Sequence, residues 1–159
     1  MAVNTWEREL SKIAFLWQTH LLNQEISDIT AKTPAKYKNS YDEFIIHAGL
    51  SAFEKLYIAN SYMVNEYTSD TDFRERRRLL REGMAQLNIC ASTLTIYFEH
   101  LRNADGVNQD KVDRLNEKFG TKIADIISLV RNVIKSDERR QGEYKEKRKA
   151  AKQEQKQAS

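Results

Sequence analysis

Five arginines crowd into eight positions of the stretch DFRERRRLLREG, at residues 72–83. They are Arg74, Arg76, Arg77, Arg78 and Arg81. On an α-helix each residue turns by about 100°, so all of them except Arg76 fall within about 100° of one face. Guanidinium groups present planar forks that match phosphate and carboxylate oxygens. The stretch therefore either binds a negatively charged partner or forms an ordinary solvated helix face with salt bridges to neighbouring helices.

This placement is unfavourable for the helix itself. The nearby acids Glu75 and Glu82 are not expected to share the arginine face, and like charges at helical spacing repel. The arginines also fall in the first turns of a predicted helix, where the macrodipole disfavours cations. We therefore predict that the four arginines on this face bind nucleic-acid phosphates or an acidic protein surface. Arg76 points instead toward the core side, at a bundle end or a subunit junction.

A second basic stripe falls on another predicted helix. Its members are Lys111, Arg114, Lys118 and Lys122, and antiparallel packing would separate them from the arginines within one subunit. Lysines add charge that is less directional than that of arginine. Because no aromatic residues interleave with either stripe, we expect contacts to phosphates without reading of the bases.

Other chemistries find little support in the sequence. His20, His47 and His100 lie on three different predicted helices, without the Glu-x-x-His pairs that di-metal bundles use. We read His20 as a structural histidine and the single cysteine, Cys90, as an inert core thiol. There is no Gly-rich phosphate loop, nucleophile elbow or zinc-ligand spacing. The sequence therefore predicts no metal, no cofactor and no enzymatic activity.

Composition indicates one helical domain. The 159 residues are 40% hydrophobic and 31% charged, with one proline and five glycines, so few residues would interrupt long helices. The net charge is +3, and all of the excess lies after residue 135, where basic side chains outnumber acidic ones by three. The longest apolar run, residues 13–17, is far shorter than a membrane span needs. With a single cysteine, this predicts a cytoplasmic protein with no membrane partner.

Apolar periodicity predicts four long helices, at residues 4–30, 40–66, 73–103 and 109–136. Three of them begin with the spacing of a capping box, at Asn4 and Glu7, Ser40 and Glu43, and Asp72 and Glu75. Short connections between them favour an antiparallel up-and-down four-helix bundle over residues 1–140. Residues 141–159 have almost no apolar side chains, so we predict a charged tail that is disordered or a frayed helix.

The first predicted helix carries two apolar faces, although one bundle core needs only one. We assign to the core the face formed by Trp6, Leu10, Ile13, Trp17 and Leu21. The nearly opposite face indicates either a kink or an intermolecular contact. We assign this face, together with Arg76, to an oligomer or partner interface, and its residues are Phe15, Leu22, Ile26 and Ile29.

Four stretches resemble, in this order, motifs of one family. They are TPAKYK at residues 33–38, IAN at 58–60, RRRLLREGMAQLNICASTL at 76–94 and VIKSDERR at 133–140. The first resembles the Pro-Lys-Lys-Tyr/Phe-Arg junction between the first two helices of Avd, the accessory variability determinant of diversity-generating retroelements. The others resemble the small-Asn ending of its next helix, its third helix, and the Lys/Asn-Ser-Asp ending of its last helix.

This resemblance implies a fold and a function. Avd-like proteins are four-helix bundles that assemble into barrel-shaped pentamers, similar in fold to proteins encoded within ribosomal RNA intervening sequences. They bind the retroelement's reverse transcriptase and its nucleic acid, and they are required for mutagenic copying of a template repeat. We therefore expect a non-catalytic, homopentameric accessory protein that binds a reverse transcriptase and RNA or DNA. The alternative is a phage or mobile-element protein-interaction bundle that binds no nucleic acid.

Overall fold

The computed structural model describes residues 5–10, 12–37 and 41–158. Its helices are α1 (Thr5–Leu10), α2 (Ala14–Ala31), α3 (Ala35–Tyr37), α4 (Glu43–Ser61), α5 (Asp70–Arg102) and α6 (Gln109–Gln157). Across these residues there is no β-strand, and the predicted all-α class is confirmed. None of the helices in this part of the chain has the length and apolar character needed to cross a membrane.

Helices α2, α4, α5 and α6 form a four-helix bundle around one apolar core. Helix α4 packs on α5, α5 packs on α6, and α2 packs on both α4 and α6. Side-chain pairs give the relative directions of neighbouring helices. Arg76, early in α5, bonds the carbonyl of Ala59 near the end of α4, and Arg102, at the end of α5, pairs with Asp113 early in α6. The predicted four-helix bundle is confirmed.

The first predicted helix is divided in two. Helix α1 ends at Leu10, and Ile13 has an extended backbone (φ −114°, ψ 96°) before α2 begins at Ala14. The second predicted helix also ends early, at Ser61, because Tyr62 turns into an extended conformation (φ −73°, ψ 123°). The caps proposed at Asn4 and Ser40 lie outside the described residues.

The N-terminus of α5 differs from the prediction. Ser69, and not Asp72, is the capping residue, and its hydroxyl accepts a hydrogen bond from the backbone N–H of Asp72 at 3.1 Å. The extended backbone of Ser69 (φ −69°, ψ 156°) brings its side chain over this free amide, so the helix begins at Asp70. Asn108 caps α6 in the same way by accepting from the N–H of Lys111.

The assignment of the second face of the first predicted helix to an interface is wrong. Phe15, Leu22 and Ile26 are buried in the core of the single chain, with 5%, 0% and 1% of their surfaces exposed, and Ile29 is partly buried against that core. The reason is that α2 packs on two neighbouring helices, which together cover a broad arc of its surface. Trp6, from the face assigned to the core, is 44% exposed.

Helix α6 continues through the segment that was predicted to be disordered or frayed. It runs unbroken for 49 residues, which corresponds to about 73 Å. The segment is rich in alanine, glutamine, glutamate and lysine, all of which favour helix, and it contains no proline. Its side chains from Lys145 to Ala158 are all exposed. Residues 146–158 form what we call the arm, because α5 begins beside Lys145, where Asp70 pairs with it at 3.5 Å.

Candidate nucleic-acid interface

The four arginines predicted to bind phosphate line one open groove between the start of α5 and the last part of α6 before the arm. We call it the arginine groove, and its volume is about 810 Å³. It is lined by Asp70, Arg74, Arg77, Arg78, Arg81, Glu82, Ala85, Gln141 and Lys145. Five of these side chains are cationic and two are acidic, so the lining carries a net positive charge. No aromatic side chain is among the lining residues that the structure describes.

Among the cations of the groove, Arg74 makes the fewest interactions with other described side chains. Its side chain is exposed, and it makes no ion pair or side-chain hydrogen bond with any residue in the described part of the chain. It lies one turn before Arg77 and Arg78 on α5. A bound anion would therefore meet this guanidinium without first displacing a carboxylate.

Arg78, in contrast, is held by two acids of its own helix. Its guanidinium donates to Glu75 three residues earlier and to Glu82 four residues later. The hydrogen bond and charge of Glu75, with the charge of Glu82, raise the pKa of Arg78, and the bond from Arg78 lowers the pKa of Glu75. The expectation that neither acid shares the arginine face is wrong, because long side chains three and four residues apart meet on a helix surface.

Arg77 and Arg81 reach across the groove to α6. Their guanidinium groups lie 3.5 Å and 3.9 Å from the carboxylate of Glu138, and Arg77 also donates to Gln141 Oε1 at 2.6 Å. Gln141 donates in turn to Asp70 at 2.9 Å, and this bond, assisted by the charge of Lys145, lowers the pKa of Asp70. These two arginines therefore make the salt bridges to a neighbouring helix that are expected of an ordinary solvated helix face.

Arg76 lies inside the protein and does not face a partner. Its Nε donates to Asp137 Oδ2 at 2.6 Å and its Nη1 donates to the Ala59 carbonyl at 2.7 Å, and both charged residues are buried. Its assignment to an oligomer interface is wrong, because a carboxylate of α6 lies at the same height in the core. Ala59, Arg76 and Asp137 belong to three of the four stretches that carry the family resemblance.

The second basic stripe is separate from the arginine groove. Lys118 and Lys122 pair with Glu25 of α2, and Arg114 donates to the backbone carbonyl of Asp110. Together with Lys111, these residues lie on the early part of α6. Lys118 and Gln141 are 23 residues apart on α6, which gives a separation of about 35 Å and a rotation of about 140° around the helix. The two basic surfaces therefore do not form one continuous track within a subunit.

The remaining chemistry-bearing residues have structural surroundings. Cys90 is buried, and desolvation raises the pKa of its thiol to about 12. The ring of His20 lies 5.4 Å from that of Trp6, 5.4 Å from Trp17 and 6.4 Å from Phe53, which fits a structural histidine. Within the described ranges, no group of three His, Cys, Asp or Glu side chains could hold a metal ion.

Sequence reasoning missed the α6 side of the groove. Gln141 and Lys145 have the four-residue spacing of one helix face, but they fall in the segment that was predicted to be disordered. Only the pairing of α5 with α6 brings them opposite Asp70 and Arg77. Asp137 was part of a quoted motif, but nothing in the pattern identified it as the partner of Arg76.

No family model, no curated protein and no solved structure matches this chain. Its function is therefore inferred from its own residues and from the sequence resemblance given above.

Proposed function

We propose that this protein is a non-catalytic accessory protein of a diversity-generating retroelement, which binds the reverse transcriptase and its template RNA or DNA during mutagenic copying. The resemblance in four ordered stretches supplies the class of partner. The observation that carries nucleic-acid binding is the arginine groove, in which five cations converge and Arg74 has no partner in the described structure. A cytoplasmic location fits this partner class and the single cysteine.

The ion pairs in the groove are weak enough to be replaced by phosphate. The carboxylate of Glu138 lies 3.5 Å from the half-buried Arg77 and 3.9 Å from the exposed Arg81, and an exposed ion pair such as the second contributes only about 0 to 1 kcal/mol. Phosphates that bind these arginines also release the counterions condensed on the nucleic acid. Since none of the described residues that line the groove is aromatic, the expected binding depends strongly on salt and little on sequence.

The test compares two variants that each lose three positive charges. In the groove variant, Arg74, Arg77 and Arg81 become glutamine. In the control, Arg131, Lys135 and Arg139, which are exposed on α6 outside the groove, become glutamine. Affinity for a structured RNA is measured at two salt concentrations, and binding to the reverse transcriptase is measured by co-purification.

The salt slope is the slope of the logarithm of the binding constant against the logarithm of the salt concentration. Its magnitude should fall by about 2 in the groove variant, at about 0.7 for each lost contact to a single strand. The control should keep most of the wild-type slope. Equal affinities and slopes for wild type and the groove variant would show that the arginines form a solvated face. Failure of the wild-type chain to co-purify with a reverse transcriptase would remove the assignment to a retroelement.

We also propose that the protein assembles as a homo-oligomer of five subunits, as the resemblance implies. The surface that supports this is on α4, where the exposed Ile46, Leu50 and Tyr57 lie within about 40° of one another, beside the half-buried Phe53. Leu50 is 56% exposed and Tyr57 is 47% exposed. An exposed apolar stripe of this kind is typical of a surface covered by a protein partner.

A second candidate function is a protein-interaction bundle that binds no nucleic acid. The observation that favours it is the pairing of Arg77, Arg78 and Arg81 with acidic side chains. The α4 stripe would then be its main binding surface. Unchanged RNA binding in the groove variant, with lost stability, would favour this function.

A further inference from the structure

A row of lysines runs along one face of α6 from the arginine groove into the arm. Lys145, Lys149, Lys152 and Lys156 follow one another at steps of four, three and four residues, so they lie within about 60° of one helix face. All four are exposed. We call these residues the lysine row.

Acidic side chains of the arm lie on other faces. Glu146 and Glu154 are rotated from Lys145 by about 100° and 180°. Glu146 pairs with Lys149 at 2.9 Å, but both side chains are at least 70% exposed, so water screens this pair. Lys152 and Lys156 make no ion pair with any residue between 5 and 158 that the structure describes. Lys152 and Lys156 are therefore available to a ligand, whereas Lys145 pairs with Asp70 and Lys149 with Glu146 at the exposed surface.

The row is continuous with the groove. Glu138 and Gln141, which face α5, lie within about 40° of Lys145 around α6, so the lysine row extends the α5-facing side of the helix beyond the start of α5. From Glu138 to Lys156 the helix rises by about 27 Å. This is the length of about eight base pairs at 3.4 Å each.

We propose that the lysine row and the arginine groove together bind the phosphate backbone of double-helical DNA. This inference rests on the proposed function, and it specifies that the nucleic acid bound by the arm is duplex DNA. The arm contains no aromatic residue, so it offers no stacking platform for the unpaired bases of a single strand. Lysines at one face supply undirected charge, which suits phosphates more than base edges.

The shape of the arm favours DNA over RNA. An α-helix with its side chains is about 10–12 Å across, and the major groove of B-form DNA is about 12 Å wide. The major groove of an RNA duplex is deep and too narrow for side chains to enter. An α-helix of this width can therefore enter the major groove of a DNA duplex, where its lysine row would face the phosphates of one bordering strand.

The experiment uses a 20-base-pair DNA duplex, the RNA duplex of the same sequence and one DNA strand, each titrated by fluorescence anisotropy at two salt concentrations. The row variant carries Lys149→Gln, Lys152→Gln and Lys156→Gln. The face-swap variant adds Ala150→Lys, Gln153→Lys and Gln157→Lys, which restores the net charge about 80° to 140° away from Lys145. Circular dichroism checks that all variants keep the helix.

Wild type should bind the DNA duplex more tightly than the RNA duplex or the single strand. The row variant should lose about 2.7 from the salt slope on duplex DNA, at about 0.9 for each of three lost contacts. The face-swap variant should bind as weakly as the row variant. Face-swap binding equal to wild type, or equal wild-type affinities for the three nucleic acids, would overturn the inference.

The outcome also separates this inference from the proposed function. If the groove variant loses binding while the row variant does not, the arm inference fails and the groove keeps its role. If wild type binds none of the three nucleic acids, both fail.

Discussion

Arg76 Nε lies 2.6 Å from Asp137 Oδ2, and this ion pair is buried between α5 and α6. The same guanidinium bonds the carbonyl of Ala59 on α4, so a single side chain fixes three helices at one height. Arg76 lies within the same run of α5 as the groove arginines, but its side chain is on the other side of the helix. It therefore sets the position of the groove on the bundle, although it takes no part in the groove's surface.

Removing one member of the Arg76–Asp137 pair should strongly destabilise the fold. We expect Asp137→Leu to lower the free energy of unfolding by about 3–5 kcal/mol, because Arg76 is left as an uncompensated buried charge. The double variant Arg76→Met/Asp137→Leu should recover most of this loss, since apolar side chains can replace a buried pair. Urea denaturation measures both. A loss below about 1 kcal/mol for Asp137→Leu would mean that water reaches the site.

Two glycines should respond oppositely to alanine. A Cβ at Gly83 would lie 2.6 Å from Leu56 Cδ2 and 2.7 Å from Leu56 Cγ, so Gly83→Ala should destabilise the contact of α4 with α5. Nothing lies within 4 Å of a Cβ at Gly120, so Gly120→Ala should stabilise α6 by up to about 1 kcal/mol through helix propensity. Thermal denaturation of the two variants compares them, and two shifts of the same sign would contradict the packing at Gly83.

Lysine substitutions should distinguish core from surface. Leu22 is fully buried, so Leu22→Lys should abolish cooperative folding, because burying an unpaired ammonium costs several kcal/mol. Leu50→Lys should leave the thermal midpoint nearly unchanged, and it should dissociate the proposed oligomer. Circular dichroism follows folding and light scattering gives the mass. A monomeric wild type at micromolar concentration would remove the oligomer proposal.

The thiol of Cys90 should make stability fall at alkaline pH. Burial raises its pKa to about 12 in the folded state, against an ordinary value of 9.0. Between these values the folded state binds the proton and the unfolded state does not, so the stabilisation is full below pH 9.0 and declines as the pH rises toward 12. The difference in unfolding free energy between wild type and Cys90→Ala should therefore shrink over this range. A constant difference would place the thiol in contact with water.

The sequence was informative where one periodicity dominated. The apolar pattern of residues 73–136 predicted the existence of α5 and α6, because few residues in them interrupt a helix. The prediction from apolar periodicity was wrong for α2, where it placed Leu22 and Ile26 outside the core. A helix that packs between two neighbours buries a wider arc of its surface than a single stripe. The break near Ile13 has no Gly or Pro to mark it.

Partners of charged residues were harder to predict than helices. The arginine groove was half predicted, because four arginines on one face follow from helical spacing alone. Their acidic partners depend on the reach of long side chains, as for Arg78, or on how α5 is aligned against α6, as for Arg77 and Glu138. A single sequence contains no measure of that alignment.

The unbroken course of α6 gives the arm a fixed helical phase relative to the bundle. Every residue inserted between Gly142 and Lys145 would turn the lysines by about 100° and advance them by about 1.5 Å. One extra alanine would thus aim them away from α5, whereas four would return them to within about 40° of their original direction and move them outward by only about 6 Å. The direction in which the arm presents its lysines therefore depends on the number of residues in the helix.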